Sequence, residues 1–268
     1  MKVVALLTVV AAALLAALSS SASTGWLQPN TTWQWQIQGA IDQSVPAEMF
    51  DIDLFDARPG EINSGVINSL HAQGKHVLCY MDSGAWESYR PDASQFPASV
   101  IGRSTGWSGE KWLDIRQSAW PLFAHIIWAR LDLAVQLGCD GVEPDQNNPV
   151  GNSPGFPITY ADEAAWYLEV ARQAHQRGLT VVQKNGIELL QMSYAGALVA
   201  AHDGMLNEEC WQYRECDDGL QAYVQAGKWV GEVEYKGKTS NFCPKLQQRG
   251  FMAMKKKLSL YAWRETCW

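Results

Sequence analysis

In 268 residues, 28 acidic side chains stand against 21 basic ones, for a formal charge of −7. That balance disfavours nucleic acid and anionic membrane as partners and favours a cationic ligand. The length suffices for one large core, and no linker, low-complexity tract or fixed-period repeat divides the chain.

Residues 1–23 read as a secretory signal. Lys2 supplies the positive end, 3–18 is a nearly unbroken apolar run, and Ser21-Ala22-Ser23 offers small residues to a signal peptidase. The run is short for a membrane span and no stop-transfer segment follows it. A secreted protein free of the membrane is expected, with one domain over 24–268 and a monomeric state.

Beyond the signal a unit recurs: a short apolar strand, an acidic or polar end, then a longer amphipathic segment. Predicted strands are 33–38, 50–56, 76–81, 141–145, 180–185, 204–208, 230–235 and 251–255. Helical patterns between them include 61–73, 119–137, 160–177 and 219–226. Gly74, Gly138, Gly178 and Gly227 each follow a helical run, where a left-handed cap is wanted. Such alternation predicts parallel βαβ units. An open doubly wound sheet competes, but no GxGxxG or P-loop follows the first strand. Polar residues also collect at the C-terminal strand ends, where a (β/α)8 barrel keeps its site. The expected fold is therefore α/β, a single-domain TIM barrel.

The six cysteines form an even set behind a signal, which reads as disulfides with fifteen possible full pairings. Cys210 and Cys216 are close enough to staple one loop. Cys243 with Cys267 would tie the C-terminus, leaving Cys79 and Cys139 on neighbouring strands. No CxxC or HxxxH spacing argues for a metal, and no cofactor is expected. Thirteen tryptophans suit a core and also sugar stacking.

The chemistry concentrates in Gly138-Cys-Asp-Gly-Val-Glu-Pro-Asp145. Residues two apart on a strand share a face, so Glu143 and Asp145 crowd one strand mouth. A second acidic end, Glu208-Glu209, closes the run that starts at Asp203. Carboxylates from two strand ends are what glycosidic cleavage needs, and crowding should raise one of them into the range of a general acid. Lys184-Asn185 ends the strand between them. Asp56, Tyr80, Asp82, Trp86 and Tyr235 are candidate subsite walls, Glu87 and Arg90 a pair, and Asp114 with Arg116 a brace for the long segment after the third strand. No Gly-x-Ser-x-Gly supplies a serine nucleophile.

Several motifs stand in a telling order: Trp33-Gln-Trp-Gln-Ile-Gln-Gly39, Asp51-x-Asp-x-Phe-Asp56, Cys79-Tyr80, Gly109-Glu-Lys-Trp-Leu-Asp-Ile-Arg116, the run ending at Asp145, Lys184-Asn185 and Asn207-Glu-Glu-Cys210. As a set they resemble glycoside hydrolase family 114, secreted endo-α-1,4-polygalactosaminidases with a TIM-barrel domain. The resemblance runs from about residue 33 to 235 and implies a polysaccharide partner rich in galactosamine. It also implies that Asp145 and Glu208 are the catalytic pair. A retaining mechanism is favoured, with Asp145 as nucleophile and Glu208 as proton donor; an inverting one would use the same residues at wider spacing, and the two roles can be exchanged. Under it, Glu143 tunes Asp145 or holds a substrate amine. Alternatives are a glycan-binding barrel without activity and an exo-acting, α-galactosidase-like enzyme.

Overall fold

A ring of parallel strands organises the computed structural model, which describes residues 25–268; the signal reading of 1–23 lies outside the described residues. In chain order the strands are β1 (Trp33–Trp35), β2 (Met49–Asp53), β3 (His76–Asp82), β4 (Ala85–Glu87), β5 (Ile101–Ser104), β6 (Glu110–Leu113), β7 (Gly141–Asp145), β8 (Thr180–Lys184), β9 (Gly204–Glu208), β10 (Trp229–Glu234), β11 (Met252–Lys256) and β12 (Arg264–Thr266). The helices are α1 (Val66–Ala72), α2 (Trp120–Leu137), α3 (Tyr160–Gln176), α4 (Ala195–Ala201), α5 (Cys210–Tyr213), α6 (Gln221–Gln225) and α7 (Thr239–Gln248).

The main sheet runs β1-β2-β3-β7-β8-β9-β10-β11-β12, parallel throughout except for β12, which pairs antiparallel with β11. Every predicted strand is present, 141–145 and 204–208 to the residue. The four capping glycines have φ of 72, 88, 77 and 70° in turn, the left-handed turn that only a residue without Cβ takes freely. Strand β2 stops at Asp53 rather than running to 56. Asp53 Oδ1 accepts the amides of Phe55 (2.8 Å) and Asp56 (3.1 Å), a side-chain turn that takes the backbone out of the ladder.

Alternate strand positions face the ring's interior. Trp33, Leu78, Val182, Leu206, Trp229 and Met254 fill it from below as one buried cluster. Trp33 and Trp229 meet edge to face with centroids 5.1 Å apart. Gly231 makes room for them: a Cβ there would lie 2.2 Å from the Trp229 ring. The seam between β1 and the C-terminal strands is closed by side chains. Trp33 Nε1 donates to Met252 O (2.8 Å), Gln34 Nε2 to Ala262 O (2.7 Å), and the Arg264 guanidinium to Trp33 O. Two further buried clusters pack the helices onto the ring's outside.

Disulfides join Cys79 to Cys139, Cys210 to Cys216 and Cys243 to Cys267, and no described cysteine is free. Three such bridges fit a protein that matures in an oxidising compartment.

Sequence patterning did not reveal the excursion between β3 and α2. Strands β4, β6 and β5 form a separate antiparallel sheet. A buried ion network clamps it to the barrel. Arg90 bonds Asp53 of β2 (2.6 and 2.8 Å) and Glu87 of β4 (2.6 Å). Arg130 of α2 bonds Asp92 (2.8 and 3.0 Å), the Asp82 carbonyl (2.7 Å) and Glu87 (3.3 Å). Both guanidiniums stack on Phe55, at 4.7 and 5.2 Å. Asp114 and Arg116 pair at 2.7 and 2.8 Å at the excursion's exit.

Candidate active site

Strands β7, β8 and β9 end in Asp145, Lys184 and Glu208, and each is followed by a residue with positive φ: Gln146 (61°), Asn185 (50°) and Glu209 (61°). Side chains other than asparagine pay for that conformation, and such strain collects at functional sites. It turns the chain sharply away while leaving the last inward side chain aimed along the barrel axis. Neighbours hold these turns. Asn147 accepts from Ser83 Oγ (2.7 Å) and Trp166 Nε1 (3.0 Å), and donates to Pro144 O (2.9 Å). At Gly84 a Cβ would lie 1.8 Å from Gln146 O, so only glycine lets the two loops meet. Beyond Glu208, the outward-facing Glu232 and Glu234 accept the amides of Cys210 (3.0 Å) and Trp211 (2.7 Å).

Lys184 is the hub. Its Nζ lies 3.0 Å from Glu143 Oε1, 3.0 Å from Asp145 Oδ2 and 3.1 Å from Glu208 Oε2, and 4.6 Å from the centre of the Trp35 ring. Trp35 Nε1 donates to Glu143 Oε2 (3.0 Å), and the Gln146 amide to Asp145 Oδ1 (2.7 Å). Glu208 takes the Asn185 amide on Oε2 (2.9 Å) and the Tyr235 hydroxyl on Oε1. Beneath Glu143, the Asp51 carboxyl of β2 lies against the Glu143 carboxyl.

Burial alone would lower Lys184, but Asp145, Glu143 and Glu208 hold it well above its ordinary value as an ammonium. Burial pushes Glu143 up to about 7, Lys184 opposing and Asp145 adding to the rise. Asp51 is pushed well above the carboxylate range by burial and by Glu143. Glu208 goes the other way: against its burial, Lys184, Tyr235 and Asn185 draw it below its ordinary value. The crowding expected to keep a general acid protonated therefore acts on Glu143 and Asp51, below the floor, and not on Glu208.

Above the hub lies a cavity of about 540 Å³, continuous with a second of about 310 Å³; Glu208, Tyr235, Asn185, Trp107, Asn148 and Leu258 line both. Asp145 lines the larger one only. The excursion builds one wall with Glu87, Tyr89, Trp107, Glu110 and Trp112, and the segment after β11 adds Leu258 to Tyr261. The smaller cavity is acidic, with Glu188, Glu209 and Glu215.

Of the expected wall residues, Tyr80, Lys184, Asn185 and Tyr235 line the groove. Four expected contacts lie elsewhere. Asp56 is in the turn beyond Asp53, which takes the strand-mouth place itself. Trp86 ties its indole to Ala93 O (2.9 Å) and packs against the core. Asp82 is wholly buried and accepts from Tyr80 OH (2.9 Å). Glu143 is likewise wholly buried, so it holds Lys184 and no substrate amine. Sequence reading passed over Trp35 and Asp51; the x-spaced pairs Trp33-x-Trp35 and Asp51-x-Asp53 carry the same two-residue signal as Glu143-x-Asp145.

Oxygens of Asp82, Glu87 and Glu110 gather within 4.8 Å, but Arg90 and Arg130 occupy Glu87, leaving no open cation cage there. In the similar group of Cys210, Glu232 and Glu234, the sulfur is spent in a disulfide.

Against known proteins, the chain is similar to Aspergillus fumigatus Ega3, solved in complex with galactosamine: TM-score 0.81 and 31% identity, over 91% of this chain and 98% of that one. The glycoside hydrolase domain of Pseudomonas aeruginosa PelA shares the fold, at TM-score 0.67 and 13% identity over 88% of this chain and 98% of that one. A Deinococcus radiodurans protein is 26% identical over 208 residues, 71% of this chain; the chain spans 65% of that protein's length. The profile of glycoside hydrolase family GH114 matches residues 16–268, and the chain belongs to that family.

Proposed function

We propose that this protein is a secreted, endo-acting hydrolase of α-1,4-linked galactosamine-containing polysaccharide, with Asp145 and Glu208 as its reacting pair. One observation carries the reading: Asp145 and Glu208 share the Lys184 ammonium on the floor of a groove that continues past Glu208 on both sides. A groove open in two directions suits a chain interior, whereas an exo-enzyme needs a blind pocket. Glu208 sits where the two stretches join, the place for the oxygen linking two sugars. Asp145 lies on one side only, where an anomeric carbon would be attacked.

In the first step Asp145 bonds to the anomeric carbon as Glu208 protonates the departing oxygen. In the second, Glu208 takes a proton from water, whose oxygen displaces Asp145. Since both acids reach one nitrogen at 3.0 and 3.1 Å, their nearest oxygens lie within about 6 Å, which favours retention over the wider spacing of inverting enzymes. Exposed Tyr89, Trp107 and Tyr261 offer faces for sugar rings, and Glu110, Glu209 and Glu215 offer charge to ammonium groups. The galactosamine complex of the similar Ega3 supports the sugar.

The test is incubation with purified α-1,4-galactosaminan and product analysis over time. Mixed internal fragments, with a fast fall in polymer length, are expected. Release of monosaccharide alone would replace the endo reading by the exo one, and no cleavage by folded protein would end the assignment.

A further inference from the structure

Asp51 is wholly buried inside the barrel, and among the described residues no N–H or hydroxyl donor reaches either of its carboxyl oxygens. Its carboxyl lies against that of Glu143. Two buried carboxylates side by side, one of them without a donor, repel each other unless one carries a proton, so a proton lies between them. Trp35 Nε1 donates to Glu143 Oε2 (3.0 Å) and the Lys184 ammonium lies 3.0 Å from Oε1; both favour the charged form of Glu143, which puts that proton on Asp51. Lys184 then links Glu143 to Glu208, at 3.0 and 3.1 Å.

The reaction needs a proton on Glu208, yet Lys184, Tyr235 and Asn185 hold it as an anion in the empty groove. We propose that Asp51 stores the proton that Glu208 uses: when a sugar fills the groove, Glu143 and Lys184 pass it from the buried carboxyl to Glu208. The proposal rests on Glu208 being the proton donor. In the transfer, Lys184 gives a proton to Glu208 Oε2, Glu143 returns one to Lys184, and Asp51 gives its own to Glu143. One proton has left Asp51 and one has reached Glu208, while Glu143 and Lys184 keep their charges. The water that completes hydrolysis supplies the proton that restores Asp51. Asp51 does not touch the sugar and acts only through its neighbours, as a positioning residue for the proton.

The groups facing the Asp51–Glu143 pair fit a store. From β7 and β8 come Asp145 and Lys184, and from β3 Tyr80; Trp35 of β1 does not titrate. Beyond Lys184 stand Glu208 and Tyr235. Asp53, on Asp51's own strand face, is engaged by Arg90. Burial and mutual repulsion raise both members of the pair, so the proton stays on above the usual carboxylate range.

Asp51→Asn separates storage from structure, because the amide still donates to Glu143 but has no proton to give. On α-1,4-galactosaminan its kcat at pH 7 is expected to fall at least about tenfold with KM within about twofold. The alkaline limb of kcat should move down by about one pH unit or more. On the α-fluoride of a galactosamine trimer, whose leaving group needs no proton, the same variant should stay within about threefold of wild type. Glu143→Gln, which interrupts the path one carboxyl later, should displace the limb likewise and serves if Asp51→Asn does not fold. An unmoved limb in either folded variant, or equal losses on polymer and fluoride, overturns the proposal. Glu208→Gln is the control: if it keeps polymer activity, the donor assignment itself is wrong, whatever Asp51 does.

Discussion

Arg90 clasps Asp53 through two parallel bonds, Nη1 to Oδ1 at 2.8 Å and Nη2 to Oδ2 at 2.6 Å, and so fastens the inserted sheet to the second barrel strand. Since Arg90 also bonds Glu87, its removal takes a charge partner from two buried carboxylates at once, leaving Asp53 to two backbone amides and Glu87 to the longer contact with Arg130. Arg90→Ala should cost about 3–5 kcal/mol and lower Tm by on the order of 10 °C. Arg90→Lys should recover only part of this, because a point-like ammonium cannot make the paired contact. Calorimetry at one fixed pH checks both. A melting point unchanged in Arg90→Ala would show that the network is not what holds the wall.

The reacting pair should respond to changes that keep shape and remove acid chemistry. Asp145→Asn and Glu208→Gln are each expected to lower kcat on the polymer by at least about a hundredfold with the fold intact. Only Glu208→Gln should regain the first step with a fluoride leaving group, read as a burst of fluoride before the second step stalls without its base, because Asp145 is needed for attack whatever departs. Near-native turnover in either variant would reassign that residue.

Glu163 of α3 is buried and accepts the Val150 amide at 2.5 Å. Burial raises it to about 7, the Val150 contact opposing and Glu188 adding to the rise. The folded protein thus holds this proton more tightly than the unfolded chain. The contribution is complete below the ordinary glutamate range and is lost as pH rises through about 7. A shift of that size corresponds to about 3 kcal/mol. Glu163→Gln keeps an acceptor for Val150 and cannot ionise, so it should melt at a higher temperature than wild type at pH 8 and at a similar one at pH 4.5. Equal melting temperatures at both pH values would remove Glu163 from the account.

The acids along the groove predict a preference within the substrate class. Partly deacetylated galactosaminan should be cut faster than the fully N-acetylated polymer, since each ammonium near half-buried Glu110, Glu209 or Glu215 contributes on the order of 1 kcal/mol. Salt should shrink the preference as exposed charges are screened. Initial rates on both polymers at low and high salt decide it. A faster reaction on the acetylated polymer at every salt concentration would point to acetamido contacts instead.

Strand and helix alternation was legible in the sequence because it is local: the two-residue alternation, the helical repeat and the glycine caps act over a few neighbours. The strand-end acids were legible for the same reason, since Glu143-x-Asp145 shares a strand face whatever surrounds it. The inserted sheet was not, because its strands are three or four residues long and are held by non-local bonds from Arg90 and Arg130. Nor was the end of β2, where a turn made by Asp53 itself leaves Asp56 outside the groove. Protonation was the least legible feature. Asp51, Glu143, Asp145 and Glu208 are alike as residue types. Only the folded barrel gives Glu208 a lysine, a tyrosine and an amide, while leaving Asp51 with a carboxyl for its partner. A carboxyl's affinity for its proton depends on the charges and water within a few ångströms, and those neighbours arrive from strands far apart in the sequence.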